Sequence, residues 1–449
     1  MNRILRGDVR SFSRHYRGEK FHAMVCDPPY ELSFMSKKWD GTGVAFDPET
    51  WEALAEHLHP GGFGMAFASS RGWHRLAVAI EDAGLRIHPS IFGFCFGSGF
   101  PKATRIDTQI DKAAGAERKV IEIIERGSVE EAKERGASYL ADPANRNNKS
   151  CFGYGTESVT APSTDMAKAW EGHRYGLQAM KPALEPIIVF QKPYSGKPVE
   201  SIVETGAGAL NIDGGRIGTE ERVNGGMSSL GVMHDDEWQP GEVTSKVSGR
   251  WPANFYLDEE GARRLGENDE SRFFFNVNRQ IDEADPVLYK AKASRKERDA
   301  GLEGMARTVR HASYGEFKGT PEHATNMNGQ QRNPHPTVKP IDLCRWLATL
   351  LLPPAEYAPR RILIPFGGVM SEAIGAMFAG FEEIIAIEME KEYCEIGQAR
   401  IDWWASKMQE TGASDPRAIL GTCGKKGRTK PNCEESWRNG NLFGIDGEE

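Results

Sequence analysis

The sequence predicts an α/β protein built on a parallel, doubly wound sheet. Short apolar strands alternate with helices at both ends of the chain, the pattern that lays helices on both faces of a sheet. Pro186 to Gln191 is continuously apolar, as in a strand covered on both sides. Residues 361 to 372 run strand, glycine loop, helix. From the amino end, strands are expected at Arg3 to Arg6, Ala23 to Cys26, Gly62 to Ala68 and Ile87 to Phe96. Helices are expected at Pro48 to His57 and at Trp73 to Ala83, the latter stopped by Gly84. Toward the carboxyl end, Pro340 to Leu352 reads as helix, Arg361 to Ile364 as strand and Ser371 to Ala379 as helix. Ile384 to Glu388 is the next strand, and Lys391 to Met408 a closing helix.

The middle reads differently. Residues 104 to 180 are charged and rich in Gly and Asn, with one helix predicted around Val129 to Gly136. Residues 200 to 334 carry many glycines and weak periodicity, apart from short apolar pieces such as Phe273 to Val277. The expected division is therefore 1–103 and 335–410 for the two halves of the sheet domain. An insertion occupies 104–180, a return strand 181–199, an irregular region 200–334, and a mobile basic tail 411–449.

Bulk properties exclude several classes. The 449 residues contain no apolar run of membrane-spanning length and no apolar signal core at Met1 to Asp8, so a cytoplasmic protein is expected. The seven cysteines have neither disulfide-like nor metal-like spacing, and no metal is expected. The net charge of −8 counts against nucleic-acid binding as a whole-chain property, but local patches matter more. Lys290, Lys292, Arg295, Lys296 and Arg298 cluster with only Glu297 against them, as phosphate ligands or as a solvated surface.

Cys26-Asp-Pro-Pro-Tyr30 ends the second strand. Two prolines fix the backbone and donate no hydrogen bond, so carbonyls point outward in a set geometry. Asp27 and the Pro28 carbonyl can then accept two hydrogen bonds from one exocyclic NH2 group, with Pro29 stiffening the turn and Tyr30 stacking on the attached ring. An ordinary strand-ending turn would use the same residues. In the second half, Gly367-Gly368 lets a ligand approach the backbone closely. Glu388, twenty residues on at the next strand's end, could bind both hydroxyls of a ribose. Glycines that only permit tight packing, with a surface Glu388, are the alternative.

These segments in this order resemble the beta-class DNA amino-methyltransferases that use S-adenosylmethionine, of the type common in phages and prophages. Asn333-Pro-His-Pro-Thr-Val-Lys-Pro340 is similar to the family stretch bordering the cofactor's methionine end, which involves His335, Thr337 and Lys339. Ser33 to Asp40, Gly97 to Lys102, Lys181 to Pro186 and Ala291 to Arg298 extend the resemblance from Gly7 to about Ile401. It implies a Rossmann-like methyltransferase sheet, circularly permuted, with an inserted target-recognition region. Phe366, Gly367, Gly368, Ser371 and Glu388 would hold the cofactor, and Asp8 would lie near its adenine. Two positions depart from the family loop: Ile364 stands where an acid is usual, and Met370 where a glycine is usual.

The resemblance further implies site-specific methylation of a flipped base in double-stranded DNA. Asp27 leans toward adenine N6 over cytosine N4, where Ser is more usual. Relatives often dimerise, and a role in restriction–modification is implied. Trp39 either closes over the flipped base or packs under its own loop. A non-catalytic DNA-binding relative is the alternative, motivated by Met370 and the acidic charge. A metal-dependent nuclease is disfavoured, since Asp27 lacks companion acids at ligand spacing. His57 and His59 read as marking a helix end, and Phe273 to Phe275 as core.

Overall fold

The computed structural model describes residues 2–32, 39–96, 101–126, 155–180, 182–224, 232–234, 237–239, 245–257, 275–276, 293–305, 308–309 and 330–420. From the amino end come β1 (Asn2–Arg6), α1 (Val9–His15), β2 (Phe21–Cys26), α2 (Pro48–Ala55), β3 (Leu58–Phe67), α3 (Trp73–Asp82), β4 (Arg86–Ile87) and β5 (Phe92–Cys95). A polar unit follows, with β6 (Lys102–Arg105), α4 (Ile106–Ala113), β7 (Val120–Arg126), β8 (Gly155–Thr160), α5 (Asp165–Ala169) and β9 (Arg174–Gln178). Next are β10 (Leu184–Gln191), α6 (Pro198–Thr205), β11 (Ile217–Asn224), β12 (Val232–His234), β13 (Glu237–Gln239), β14 (Ser245–Arg250), β15 (Phe255–Leu257) and β16 (Phe275–Asn276). The chain continues through α7 (Arg295–Asp299), β17 (Thr308–Val309), β18 (Gln330–Gln331), α8 (Ile341–Leu350) and β19 (Arg361–Ile364). It ends on α9 (Ser371–Ala379), β20 (Glu383–Glu388), α10 (Lys391–Thr411) and α11 (Pro416–Leu420). No helix among the described residues is long and apolar enough to cross a membrane.

One large sheet runs in the order β1-β20-β19-β2-β3-β10-β5-β15-β16, with β4 also pairing β10. Strands β1, β20, β19, β2 and β3 are parallel neighbours. The two chain ends thus interleave: β20 and β19 lie between β1 and β2. Side chains alternate across the sheet as strand geometry requires. Ala23 and Val25 join a core with Trp346 of α8, Ile374 of α9 and Trp404 of α10. Met24 and Cys26 join another with Trp51 of α2 and Ile80 of α3. Helices on both faces explain why every residue of β2 is buried.

The helix pair α8 and α9 meets closely at Gly375, where an added Cβ would lie 2.5 Å from the Cys344 Cβ. Any larger residue there would push the helices apart.

Several predicted elements are modified. The Pro186 to Gln191 strand, β10, is antiparallel to both β3 and β5, not part of an all-parallel sheet. Ile87 to Phe96 is two strands, because Pro89 has no N–H to give a neighbouring strand. Helix α2 stops at Ala55 and β3 begins at Leu58, with a register shift against β2 before Ala23 aligns with Phe63. Helix α1 was not predicted; it is short, and Asp8 caps it.

The described parts of the 104–180 region, 104–126 and 155–180, hold more regular structure than the composition suggests. The antiparallel pairs β6–β9 and β7–β8 flank a polar core. There Arg118 bridges Asp107 at 2.9 Å and Asp111 at 2.5 Å, and Asp111 also accepts from Ser163 and Thr164. The helix predicted at Val129 to Gly136 lies outside the described residues. Phe273 and Phe274 do too, while Phe275 belongs to β16. The tail beyond Asp415 begins with α11, whose Leu420 is buried. Residues 421–449 lie outside the described part.

Candidate active site

Parallel strands present their carboxyl ends at one sheet edge, where helices begin and backbone groups are left open. Gly7 and Asp8 after β1, Asp27 after β2, Phe366 after β19 and Glu388 at the end of β20 all reach a single cavity of about 630 Å³. Pro28, Pro29, Tyr30, Trp39, His335, Thr337, Lys339, Gly367, Gly368 and Ser371 line it as well. Every predicted catalytic and cofactor residue therefore borders one space, joined from segments more than three hundred residues apart.

At the Asp27 end, the Lys339 ammonium lies 2.5 Å from Asp27 Oδ2 and donates to the Tyr30 hydroxyl at 3.1 Å. Asp27 Oδ1 is buried without a hydrogen-bond partner, a costly arrangement unless a ligand supplies a donor. Burial lowers the Lys339 pKa, but Asp27, Tyr30 and Glu185 outweigh it and hold the group well above the ordinary lysine value. Burial, then Asp27, pushes the Tyr30 phenol well up, so Tyr30 is neutral. Glu185, 3.9 Å from Lys339, and Glu372 in the first turn of α9 also line the cavity. Neither acid was singled out from sequence. Glu185 sits inside the Lys181 to Pro186 segment, the one signal available; Glu372 had none beyond following Ser371.

The turn after Tyr30 is tied at both ends. Asp40, itself buried, accepts from the Glu31 and Leu32 amides at 2.9 and 3.3 Å. The Glu31 carboxylate in return accepts from Gly43 and Ala45. Trp39 stacks on His335 with centroids 6.1 Å apart and planes 9° apart. It belongs to a small core with Val338, Val369 and Tyr393, so packing between loops is its resting position.

His335 sits between Trp39 and Tyr393, whose ring meets it edge-on at 4.7 Å. Burial, then the charges of Lys339, Arg298 and Arg400, pulls its pKa down to about 3, so the ring is neutral. The Thr337 amide donates to Nδ1 at 3.4 Å, which leaves the proton on Nε2. Helix α7 clamps this whole segment. Arg298 donates to the His335 carbonyl, Asn333 spans the Arg298 carbonyl and the His335 amide, and Glu297 accepts from Ile341 at 2.6 Å. The Ala291 to Arg298 stretch thus has a structural task beyond any phosphate contact. Lys290 and Lys292 lie outside the described residues. Arg295 opens α7. The exposed Lys296 donates to the Leu420 carbonyl and does not line the cavity.

In the glycine loop, Phe366, Gly368 and Met370 have φ of 58°, 49° and 67°. Glu388 accepts from the Gly368 amide at 2.8 Å and the Glu390 amide at 2.7 Å, fixing the loop against β20. Each carboxylate oxygen keeps a further lone pair for a ligand. Burial raises the Glu388 pKa while those amides lower it, with the balance upward. Met370 does not line the cavity: its side chain is fully buried between Gly397, where an added Cβ would lie 2.4 Å from Met370 Cγ, and the back of Gly367, where one would lie 2.9 Å from Met370 Sδ. Asp8 caps α1, accepting from the Arg10 amide at 2.8 Å. Burial raises its pKa, but hydrogen bonds and charge from Arg10 leave it below the usual carboxylate value.

No family model and no curated protein matches the sequence. Among solved structures, M1.HpyAVI in complex with SAM is 12% identical with a TM-score of 0.35, covering 90% of this chain and 100% of that one. The cytosine-N4-specific PvuII DNA methyltransferase is 11% identical with a TM-score of 0.38, covering 94% and 93%. TTHA0409 from Thermus thermophilus is 10% identical with a TM-score of 0.35, covering 89% and 94%. Likenesses this loose carry no functional argument; the site has to supply it.

Proposed function

We propose that the protein is a DNA methyltransferase that uses S-adenosylmethionine to methylate adenine N6 of a flipped base in double-stranded DNA. One observation carries the proposal: a single cavity joins Asp27, whose buried Oδ1 has no hydrogen-bond partner, to the glycine loop and Glu388. The residues fit such a cofactor. At Gly368 an added Cβ would lie 3.0 Å from His335 Nε2, so only bare backbone leaves room there. Phe366 and Ile387 offer apolar surface for an adenine, and Glu388 offers acceptors for ribose hydroxyls. The interleaved strand order supports a permuted methyltransferase sheet.

When bound, S-adenosylmethionine supplies an electrophilic methyl group on sulfur. Asp27 and the Pro28 carbonyl accept hydrogen bonds from the target NH2 and turn its lone pair out of the ring plane. Tyr30 stacks on the base and offsets part of the few kcal/mol that flipping costs, at about 1–3 kcal/mol per stacked base. Positioning and electrostatics, not a strong base, carry the reaction: the amine lone pair would form the N–C bond as the S–C bond breaks, the pair going to sulfur, and the nitrogen would shed one proton to solvent afterwards. Asp27 supports adenine over cytosine through the resemblance in its motif.

The test is mass spectrometry of nucleosides from unmethylated DNA incubated with protein and S-adenosylmethionine. N6-methyladenine is expected, and Asp27→Ala should abolish it while cofactor affinity, measured by calorimetry, persists. N4-methylcytosine would keep the mechanism and change the base. No methylated base from the wild type, or undiminished turnover by Asp27→Ala, would overturn the proposal.

A further inference from the structure

The resemblance placed Lys339 with the cofactor ligands, but its ammonium faces elsewhere. It is 5% exposed in its side chain and approaches Asp27 Oδ2 at 2.5 Å, the Tyr30 hydroxyl at 3.1 Å and Glu185 at 3.9 Å. It also lies 4.9 Å from the Phe67 ring centroid. An ammonium has three protons: two are given to Asp27 and Tyr30 of the catalytic turn, and the group's next oxygen is Glu185 at 3.9 Å, an ion-pair distance. Both of its hydrogen bonds thus go to the catalytic turn and neither to the glycine loop.

We propose that Lys339 is a positioning residue for Asp27: it occupies one carboxylate oxygen and thereby fixes the other as the acceptor for the target amine. The inference rests on the methyltransferase function proposed above. A carboxylate alone at the end of a strand can rotate and present either oxygen. Pinning Oδ2 leaves Oδ1, the buried atom without a partner, in one orientation. The same ammonium holds the Tyr30 hydroxyl, so the stacking ring and the amine acceptor are set by one group. Lys339 reaches this position because α7 clamps the segment from Asn333 to Ile341. Alignment of the amine therefore depends on the cofactor half of the sheet being assembled.

The experiment compares Lys339→Ala, Lys339→Met and Lys339→Arg with the wild type, reading kcat, S-adenosylmethionine affinity by calorimetry, and melting temperature. Misplacing a reacting group by about 1 Å can cost on the order of 100-fold in rate. A kcat loss of that order is expected in Lys339→Ala and Lys339→Met. Cofactor affinity should stay within about threefold. Added methylammonium or ethylammonium should restore part of the Lys339→Ala activity. Cofactor affinity falling in step with turnover would make the lysine a cofactor ligand and overturn the inference. So would unchanged turnover, and failure of all three variants to fold would assign Lys339 to the scaffold. Absence of methyl transfer by the wild type instead defeats the proposed function, a separable result.

Discussion

Glu372 stands in the first turn of α9, 5% exposed, beside the Asp27 and Lys339 pair. Burial first, and Asp27 next, pushes its pKa from 4.5 up to about 7, with Lys339 pulling the other way. A carboxyl whose folded pKa lies above its unfolded value stabilises the fold most at low pH. That contribution is lost as pH rises through the folded pKa. The wild type should therefore lose melting temperature relative to Glu372→Gln as pH climbs from about 4.5 through about 7. Parallel curves of melting temperature against pH would remove the proton from Glu372. Its neighbour Asp27 was legible because a strand followed by two prolines is a local pattern. Glu372 was not, since an acid early in a helix usually means only a favourable interaction with the helix dipole.

The loop between β19 and α9 explains how Met370 is tolerated where the methyltransferases that the sequence resembles use glycine. Its φ of 67° is the left-handed conformation, which costs a non-glycine residue roughly 1–2 kcal/mol. Against that stands a fully buried side chain filling the space above Gly397. Removing such a methionine costs about 2–5 kcal/mol. Met370→Gly should thus be destabilised in urea unfolding by roughly 1–3 kcal/mol after the strain is relieved. Cofactor affinity should change little, because the side chain does not line the cavity and meets the loop only behind Gly367. A gain in stability, or a large change in affinity, would contradict this account. Long periodic elements such as α9, β20 and α10 were read close to their observed bounds. Short paired elements were not: β6 with β9, β7 with β8 and β11 with β14 owe their existence to partners distant in sequence, which no local pattern declares.

Across the whole molecule, the apolar sheet and the polar 104–180 unit are held by different forces. The sheet relies on apolar layers on both faces, whereas the unit turns on Arg118 between Asp107 and Asp111. Arg118→Leu would remove the cation shared by Asp107 and Asp111, leaving Asp107 to Arg105 and Asp111 to Ser163 and Thr164, and should loosen the unit without dismantling the sheet. Limited proteolysis of that variant should give new cuts within 104–180 while the sheet strands stay protected; cuts spread evenly over the chain would argue against separate cores. By itself the sequence determined the α/β class, the strands that end at Asp27 and Glu388, and the glycine loop, because periodicity and turn chemistry are encoded within a few residues. Only the tertiary structure decided that β10 runs antiparallel, that Lys339 grips Asp27 and Tyr30, and that Glu185 and Glu372 join them. Those contacts close over hundreds of residues, and their geometry exists only once β19 and β2 lie side by side.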